Sequence, residues 1–226
     1  DAKKRITSKT KAIMPVHYAG GVGDLDSIYD FANTYGLRVI EDAAHAFGSF
    51  YKGKRIGGFG DIACFSFDGI KNITSGEGGC IVSNDKELIE KIKDARLLGV
   101  EKDSEKRFQN NRSWEFDVTF QGWRYHMSNI MAAIGIEQLK RFPKMAIKRQ
   151  ELAKQYEVTL SGNVHIETLK HNYNEIVPHI FVVKCNSQRR DLIRDNLLAK
   201  NIQTGIHYQP NHLLSLYKNS SYFLPE

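Results

Sequence analysis

Cysteine is scarce in this 226-residue chain: three residues, an odd number, and no CxxC pair among them. That excludes a disulfide scaffold. Cys64 and Cys80, in the apolar contexts IACF and GCIV, read as reduced interior side chains of a cytoplasmic protein. Proline is scarce too, at five residues, and no repeat or low-complexity tract is present, so fibrous and collagenous classes are excluded. No apolar run approaches the roughly 20 residues of a membrane span, and no apolar stretch follows the charged start DAKKR as a leader would require. A soluble chain without membrane attachment is expected.

An excess of one charge is nearly lacking as well. Lys and Arg number 32 against 26 Asp and Glu, a net +6. Residues 1–11 hold five basic residues and one acid, so +4 lies there and only +2 in the remaining 215 residues. That surplus is too diffuse for a phosphate-tracking stripe, and no nucleic acid partner is expected. What is present is globular composition, 41% hydrophobic and 11% aromatic, in a chain long enough to bury a core.

The pattern along the chain predicts alternating strands and helices. Residues 11–17 are expected as a buried strand running into the turn Gly20-Gly21-Val22-Gly23. Asp24 or Asp26 caps a helix with Leu25, Ile28, Tyr29 and Ala32 on its apolar face, and Gly36 stops it. Residues 37–40 form a short strand ending at Glu41-Asp42. Strand, helix, strand in about 30 residues is a βαβ unit, which favours a parallel sheet. Further strands are predicted at 62–67 and 79–83, a helix over 85–98, and a polar surface excursion over 101–113. Ser128 caps a long helix that Pro143 interrupts, and a second amphipathic stretch runs to about residue 160. The tail reads as strand 180–185, helix 189–200 and strand 203–208. The expected class is α/β: a large domain over 1–140 with a mainly parallel sheet, then a smaller α+β domain over 141–226, incomplete at both ends.

Ligands of open α/β sheets sit at the carboxyl ends of strands. There the sequence puts Asp42, closing VIEDAAH, and Ser66 and Lys71 in SFDGIKN, followed at once by Gly76-Glu77-Gly78-Gly79. One interpretation is an ion pair with a capping serine. The other is a pyridoxal phosphate site, which needs a Schiff-base lysine, a carboxylate that keeps the ring nitrogen protonated, and donors for the phosphate. Asp68 and Glu77 lie close by and read as structural. His207, Tyr208 and His212 form a second cluster. His-x4-His is half of a metal pattern, yet no Cys or acid completes a ligand set, so no metal is expected. Trp114, Phe116, Trp123 and Tyr125 read as core or interface aromatics.

The segment SFDGIKNITSGEGG resembles the lysine segment of the DegT/DnrJ/EryC1/StrS family of pyridoxal phosphate-dependent sugar aminotransferases. The resemblance continues in order through PVHYAG (15–20), IEDAAHAFGSFYKGKRIGGFGD (40–61), MSNIMAAIGIEQL (127–139) and GIHYQPNH (205–212). It covers essentially the whole chain and implies the aspartate aminotransferase (type I) fold. It also implies that Lys71 carries the cofactor, that Asp42 pairs with the pyridinium nitrogen, that His45 lies beside the phenolic oxygen and that Ser66 donates to the phosphate. The family's usual GYNYRM reads GWRYHM (122–127) here. Arg124 therefore stands where an Asn reaches the phosphate of the neighbouring subunit, and would serve that phosphate or a nucleotide diphosphate. His207, Tyr208 and His212 fall near the active-site entrance, toward sugar or partner subunit.

The activity implied is transamination of a nucleotide-linked ketosugar, with glutamate as amino donor, for cell-surface polysaccharide such as lipopolysaccharide or for secondary-metabolite sugars. Lys71 itself favours transamination, because the family's dehydratase branch has histidine there. A homodimer is expected. The family's N-terminal portion, with its Gly-Thr phosphate loop and ring-stacking aromatic, has no counterpart in residues 1–20. The chain is therefore expected to be a fragment or one half of a split enzyme, with a separate N-terminal polypeptide as partner in the latter case. Two other classes stay open. One is a silent homologue that binds cofactor or sugar nucleotide without turnover. The other is a plain nucleotide-binding module using GGVG as a phosphate turn, which lacks the GxGxxG spacing.

Overall fold

The computed structural model describes residues 1–101, 109 and 116–217. Trp114 and nearly all of the polar stretch 101–113 lie outside those residues. The chain divides into two compact units, Asp1–Gly162 with Thr168–Val182, and Asn163–Glu167 with Val183–Glu226.

After a short helix α1 (Ala2–Arg5), the first unit builds a four-stranded sheet from β1 (Ala12–Ile13), β2 (Arg38–Asp42), β5 (Ile62–Ser66) and β6 (Gly79–Ser83), in the order β1-β2-β5-β6. The hairpin β3 (Phe50–Tyr51) and β4 (Lys54–Arg55) lies between β2 and β5 in sequence. The pairs β1·β2 and β2·β5 are parallel, whereas β6 runs antiparallel to β5, so the sheet is mixed. Only residues 67–78 join β5 to β6. They hold turns and no helix, so they lack the helix-bearing crossover that usually joins parallel neighbours.

Helix α2 (Leu25–Tyr35) makes the crossover from β1 to β2, and local chemistry sets both its ends. The Asp24 carboxylate accepts from the Ser27 N–H at 3.2 Å, and Gly36 closes the helix in the left-handed region at φ 63°. Its Leu25 is fully buried in a cluster with Ala43, Ala46 and Ile56, beneath the loop that follows β2. Helix α3 (Lys86–Ala95) is capped by Asp85 in the same way.

Helix α4 (Asn129–Leu160) starts at Ser128, whose hydroxyl accepts from the Met131 N–H at 3.3 Å. It runs unbroken through Pro143, contrary to the interruption expected there. Proline removes one donor from the ladder. Here tertiary packing holds the helix on either side of it: Phe142 is buried with Ile73 and Val177, and Met145 and Ala146 pack against the same cluster.

In the second unit β7 (Ile166–Thr168) pairs with β8 (Val183–Cys185), and α5 (Ser187–Leu198) follows. Residues 203–208 form no strand, although their sequence predicts one. They join neither edge of the β7·β8 pair. Among the described residues no helix is long and apolar enough to cross a membrane.

Candidate active site

The sheet brings a carboxylate and a hydroxyl to one end. The β1 segment extends to Val16, which bridges to Asp42. The Asp42 N–H donates to Pro15 O at 2.9 Å, and the His17 N–H donates to Asp42 O at 3.0 Å. Asp42 thus closes β2 with its backbone held on one side. On the other side it stands in register with Cys64 of β5. Its Oδ1 accepts from the Ala44 N–H at 3.1 Å, and the side chain is half-buried. Ser66 ends β5 two residues beyond Cys64, and its Oγ accepts from the Asp68 N–H at 3.3 Å. The negative charge of Asp42 reaches the Cys64 thiol, whose pKa is raised first by burial and then by that carboxylate. Cys64, Cys80 and Cys185 are all free and half-buried.

Lys71 sits in the loop between β5 and β6, half-buried, its N–H donating to Asp68 O at 3.1 Å. Among the described residues no side chain pairs with its ammonium. Asp68 serves the same turn through Oδ1, which accepts from the Ile70 N–H at 3.0 Å. Glu77 takes part through its backbone, where its carbonyl accepts from Ser75 Oγ at 2.8 Å. Both acids are parts of the loop's frame. The loop is closed at its base by Phe67 N–H donating to Gly78 O at 2.8 Å.

His45 is 8% exposed and packed between two other rings, Tyr18 at 6.1 Å and His179 at 4.3 Å between centroids. The Ala19 N–H donates to His45 Nδ1 at 3.3 Å, which leaves Nε2 to carry the ring proton. Arg124 lies in the same unit, exposed, in a stretch that bridges to Leu97. His207, Tyr208 and His212 lie in the second unit. The His207 and Tyr208 rings stand 4.6 Å apart, and His212 is in a one-turn helix over Asn211–Leu213. Among the described residues no group of three His, Cys, Asp or Glu side chains has a metal-binding arrangement.

Three residues of the neighbourhood carry no motif that singles them out in the sequence. Asn72 is 4% exposed and its amide bridges two distant carbonyls; its place beside Lys71 is the one signal that could have found it. His179 reaches His45 from far along the chain, and Glu41 is buried beside Asp42 with His17 against it. Nothing local in the sequence marks those two partnerships.

The donor set has the chemistry that pyridoxal phosphate requires: a half-buried carboxylate and a hydroxyl at the ends of adjacent parallel strands, with an unpaired amine in the loop that follows. The spore coat polysaccharide biosynthesis protein SpsC of Bacillus subtilis is 34% identical over 219 residues, which are 94% of this chain and 56% of that protein. Helicobacter pylori PseC, an aminotransferase involved in the biosynthesis of pseudoaminic acid, superposes with a TM-score of 0.88 at 31% identity, over 99% of this chain and 59% of that one. A putative sugar aminotransferase from Streptococcus pneumoniae, Spr1654 in its PMP form, superposes with a TM-score of 0.86 at 30% identity, over 98% and 61%. The chain therefore spans between half and two thirds of the length of each of these relatives. The model of the DegT/DnrJ/EryC1/StrS aminotransferase family matches residues 1–225, and the chain belongs to that family.

Proposed function

We propose that this chain carries the cofactor groups of a pyridoxal phosphate-dependent aminotransferase that moves an amino group onto a nucleotide-linked ketosugar. The donor is glutamate, the setting cytoplasmic, and the aminosugar is destined for cell-surface polysaccharide or a secondary metabolite. The observation that carries this reading is the Asp42 carboxylate at the carboxyl end of β2 together with the Lys71 amine, unpaired among the described residues, in the loop that follows β5. PseC and SpsC, by their descriptions, support a sugar as the acceptor.

When bound, the cofactor supplies the electron sink for bond changes at the donor's α carbon and at the sugar carbon. Residues of this chain do the rest. Asp42, ionised at the end of β2, holds a proton on the ring nitrogen and so keeps the sink strong. Lys71 would hold the cofactor through Nζ and would carry protons to and from the reacting carbon as general base and acid. Ser66 donates its hydroxyl to the phosphate, and His45 offers its Nε2 proton to the phenolic oxygen. Arg124 gives a forked cationic donor to the phosphate of a second subunit in a homodimer. The donor would give up its amino group and be left as its keto acid, its new carbonyl oxygen coming from water. The amino group would arrive on the sugar's carbonyl carbon, whose oxygen leaves as water. Residues 1–140 thus hold the cofactor groups, and His207, Tyr208 and His212, within 141–226, face sugar or partner.

Borohydride reduction of the full chain loaded with pyridoxal phosphate, followed by peptide mapping, should place the pyridoxyl label on Lys71. Label on another lysine overturns the assignment. A second reading is that the chain binds the cofactor without turnover. Label on Lys71 with no amino transfer to any nucleotide ketosugar would support it.

A further inference from the structure

Lys71 is followed by two buried residues. Ile73 enters the apolar cluster with Phe142 and Val177. Asn72, 4% exposed, is polar and lies at a junction of three distant segments. Its Nδ2 donates to Phe47 O at 3.3 Å, in the loop after β2, and to Val177 O at 3.1 Å. The Val177 N–H donates to the buried Ser49 hydroxyl at 3.0 Å, which in turn donates to Gly20 O at 3.2 Å. Gly20, at φ +92°, comes so close that a Cβ there would stand 2.5 Å from the Val177 carbonyl oxygen.

Residues 174–179 are held from their other side by α4. Arg149 donates to Pro178 O and His179 O at 3.3 and 3.1 Å, Gln150 to Ile176 O at 3.3 Å, and Lys154 to Asn174 Oδ1 at 2.8 Å. This stretch is a strap, tied to α4 on one face and to Asn72 and Ser49 on the other. The Asn72 amide nitrogen is fully used, while its Oδ1 is buried with no partner. A buried acceptor left unpaired is costly. What the amide group gives in return is its hold on Phe47 and Val177.

We propose that Asn72 is a positioning residue for Lys71, fixing the lysine's backbone against Phe47 and the 174–179 strap so that the amine stays in its half-buried place. The assignment rests on Lys71 being the cofactor lysine. Its test does not need the cofactor. The side chain does not touch the reacting atoms; it acts through the peptide it shares with Lys71.

Trace acetylation of the full chain with acetic anhydride at one fixed pH, read by peptide mapping, compares Lys71 with the exposed Lys9 as internal reference. In Asn72→Ala the Lys71 to Lys9 labelling ratio should rise about threefold as the half-buried amine opens to the reagent, and borohydride trapping of pyridoxal phosphate at Lys71 should fall about tenfold. A general loss of packing would move the labelling of many lysines together; the proposal requires a change confined to Lys71. Arg149→Met removes two of the strap's bonds to α4 and leaves Asn72 intact, so it serves where Asn72→Ala does not fold. It should move the same ratio in the same direction. An unchanged ratio in a folded Asn72→Ala, or in a folded Arg149→Met, overturns the proposal. Pyridoxyl label on a lysine other than Lys71 in the unaltered chain would overturn the cofactor reading, while the acetylation ratio still decides the role of Asn72.

Discussion

His17 Nε2 donates to Glu41 Oε2 at 2.8 Å with both side chains 1% exposed, a hydrogen-bonded pair sealed beneath the strand that ends in Asp42. The other carboxylate oxygen of Glu41 accepts from Tyr29 OH at 2.8 Å, so α2, the end of β1 and β2 are stitched through one acid. Taking His17 away leaves a buried Glu41 oxygen without this partner, and taking Glu41 away leaves the buried His17 Nε2 and the Tyr29 hydroxyl without theirs. His17→Ala or Glu41→Leu should therefore destabilise the fold by about 3–5 kcal/mol. Denaturant midpoints at constant slope would measure it, and a loss under 1 kcal/mol would show that the pair contributes little.

The same triad predicts an alkaline limit. Burial, with the Glu41 hydrogen bond and charge second, holds the Tyr29 phenol well above its usual 10.0. Above that value an unfolded chain gives up the Tyr29 proton while the folded chain keeps it, so the unfolded state binds fewer protons and stability falls as pH rises. Below pH 10 this contribution is fully present. Tyr29→Phe should lower stability near neutrality and flatten the decline beyond pH 10. Melting temperatures for the two proteins that decline in parallel above pH 10 would remove Tyr29 from the explanation.

Asp42 can be tested through a neighbour that takes no part in the chemistry. Its charge is one of two causes that raise the Cys64 thiol, burial being the larger. Asp42→Asn should therefore speed alkylation of Cys64 by iodoacetamide by a factor of about two to five at neutral pH, since the thiolate is the nucleophile. The same substitution should cost on the order of 3 kcal/mol of transition-state stabilisation per bound cofactor, because an amide cannot hold the pyridinium proton. Unchanged turnover per bound cofactor would refute the proposed role.

The cross-subunit role of Arg124 is separable by mixing. Subunits with Arg124→Ala and subunits with Lys71→Ala should each be inactive alone. In a mixed dimer one site would then carry both lesions and the other neither, so part of the activity returns. If subunit exchange is demonstrated and no activity appears, Arg124 does not act across an interface.

Much of the frame was legible because short-range chemistry decides it. Asp24, Asp85 and Ser128 each cap the helix they precede in the sequence, and Gly36 ends α2 at a conformation that favours glycine. Pro143 misleads because its lost hydrogen bond is offset by Phe142, Met145 and Ala146 packing on a distant cluster, which no local window contains. Residues 203–208 alternate like a strand, but a strand needs a neighbour to pair with. At the site, Asp42 and Ser66 fall on strand ends, with Lys71 in the loop just beyond, where open sheets bind their ligands. Asn72, His179 and Glu41 owe their environment to contacts made across long stretches of chain, and single-residue patterns do not encode those.

The antiparallel return of β6 has a consequence for how sequence change is tolerated. Because β5 and β6 are neighbours, the lysine's loop begins and ends at one ladder rung, with Phe67 bonded to Gly78. The entropy of closing such a loop grows only with the logarithm of its length. An inserted residue near the exposed Gly76 would thus cost folding little while displacing the amine from its half-buried place. Tolerance to insertion and tolerance of catalysis part company in these twelve residues, 67–78. A library of length variants there, scored separately for folded yield and for cofactor capture, should show the first nearly flat and the second sharply peaked at the native length.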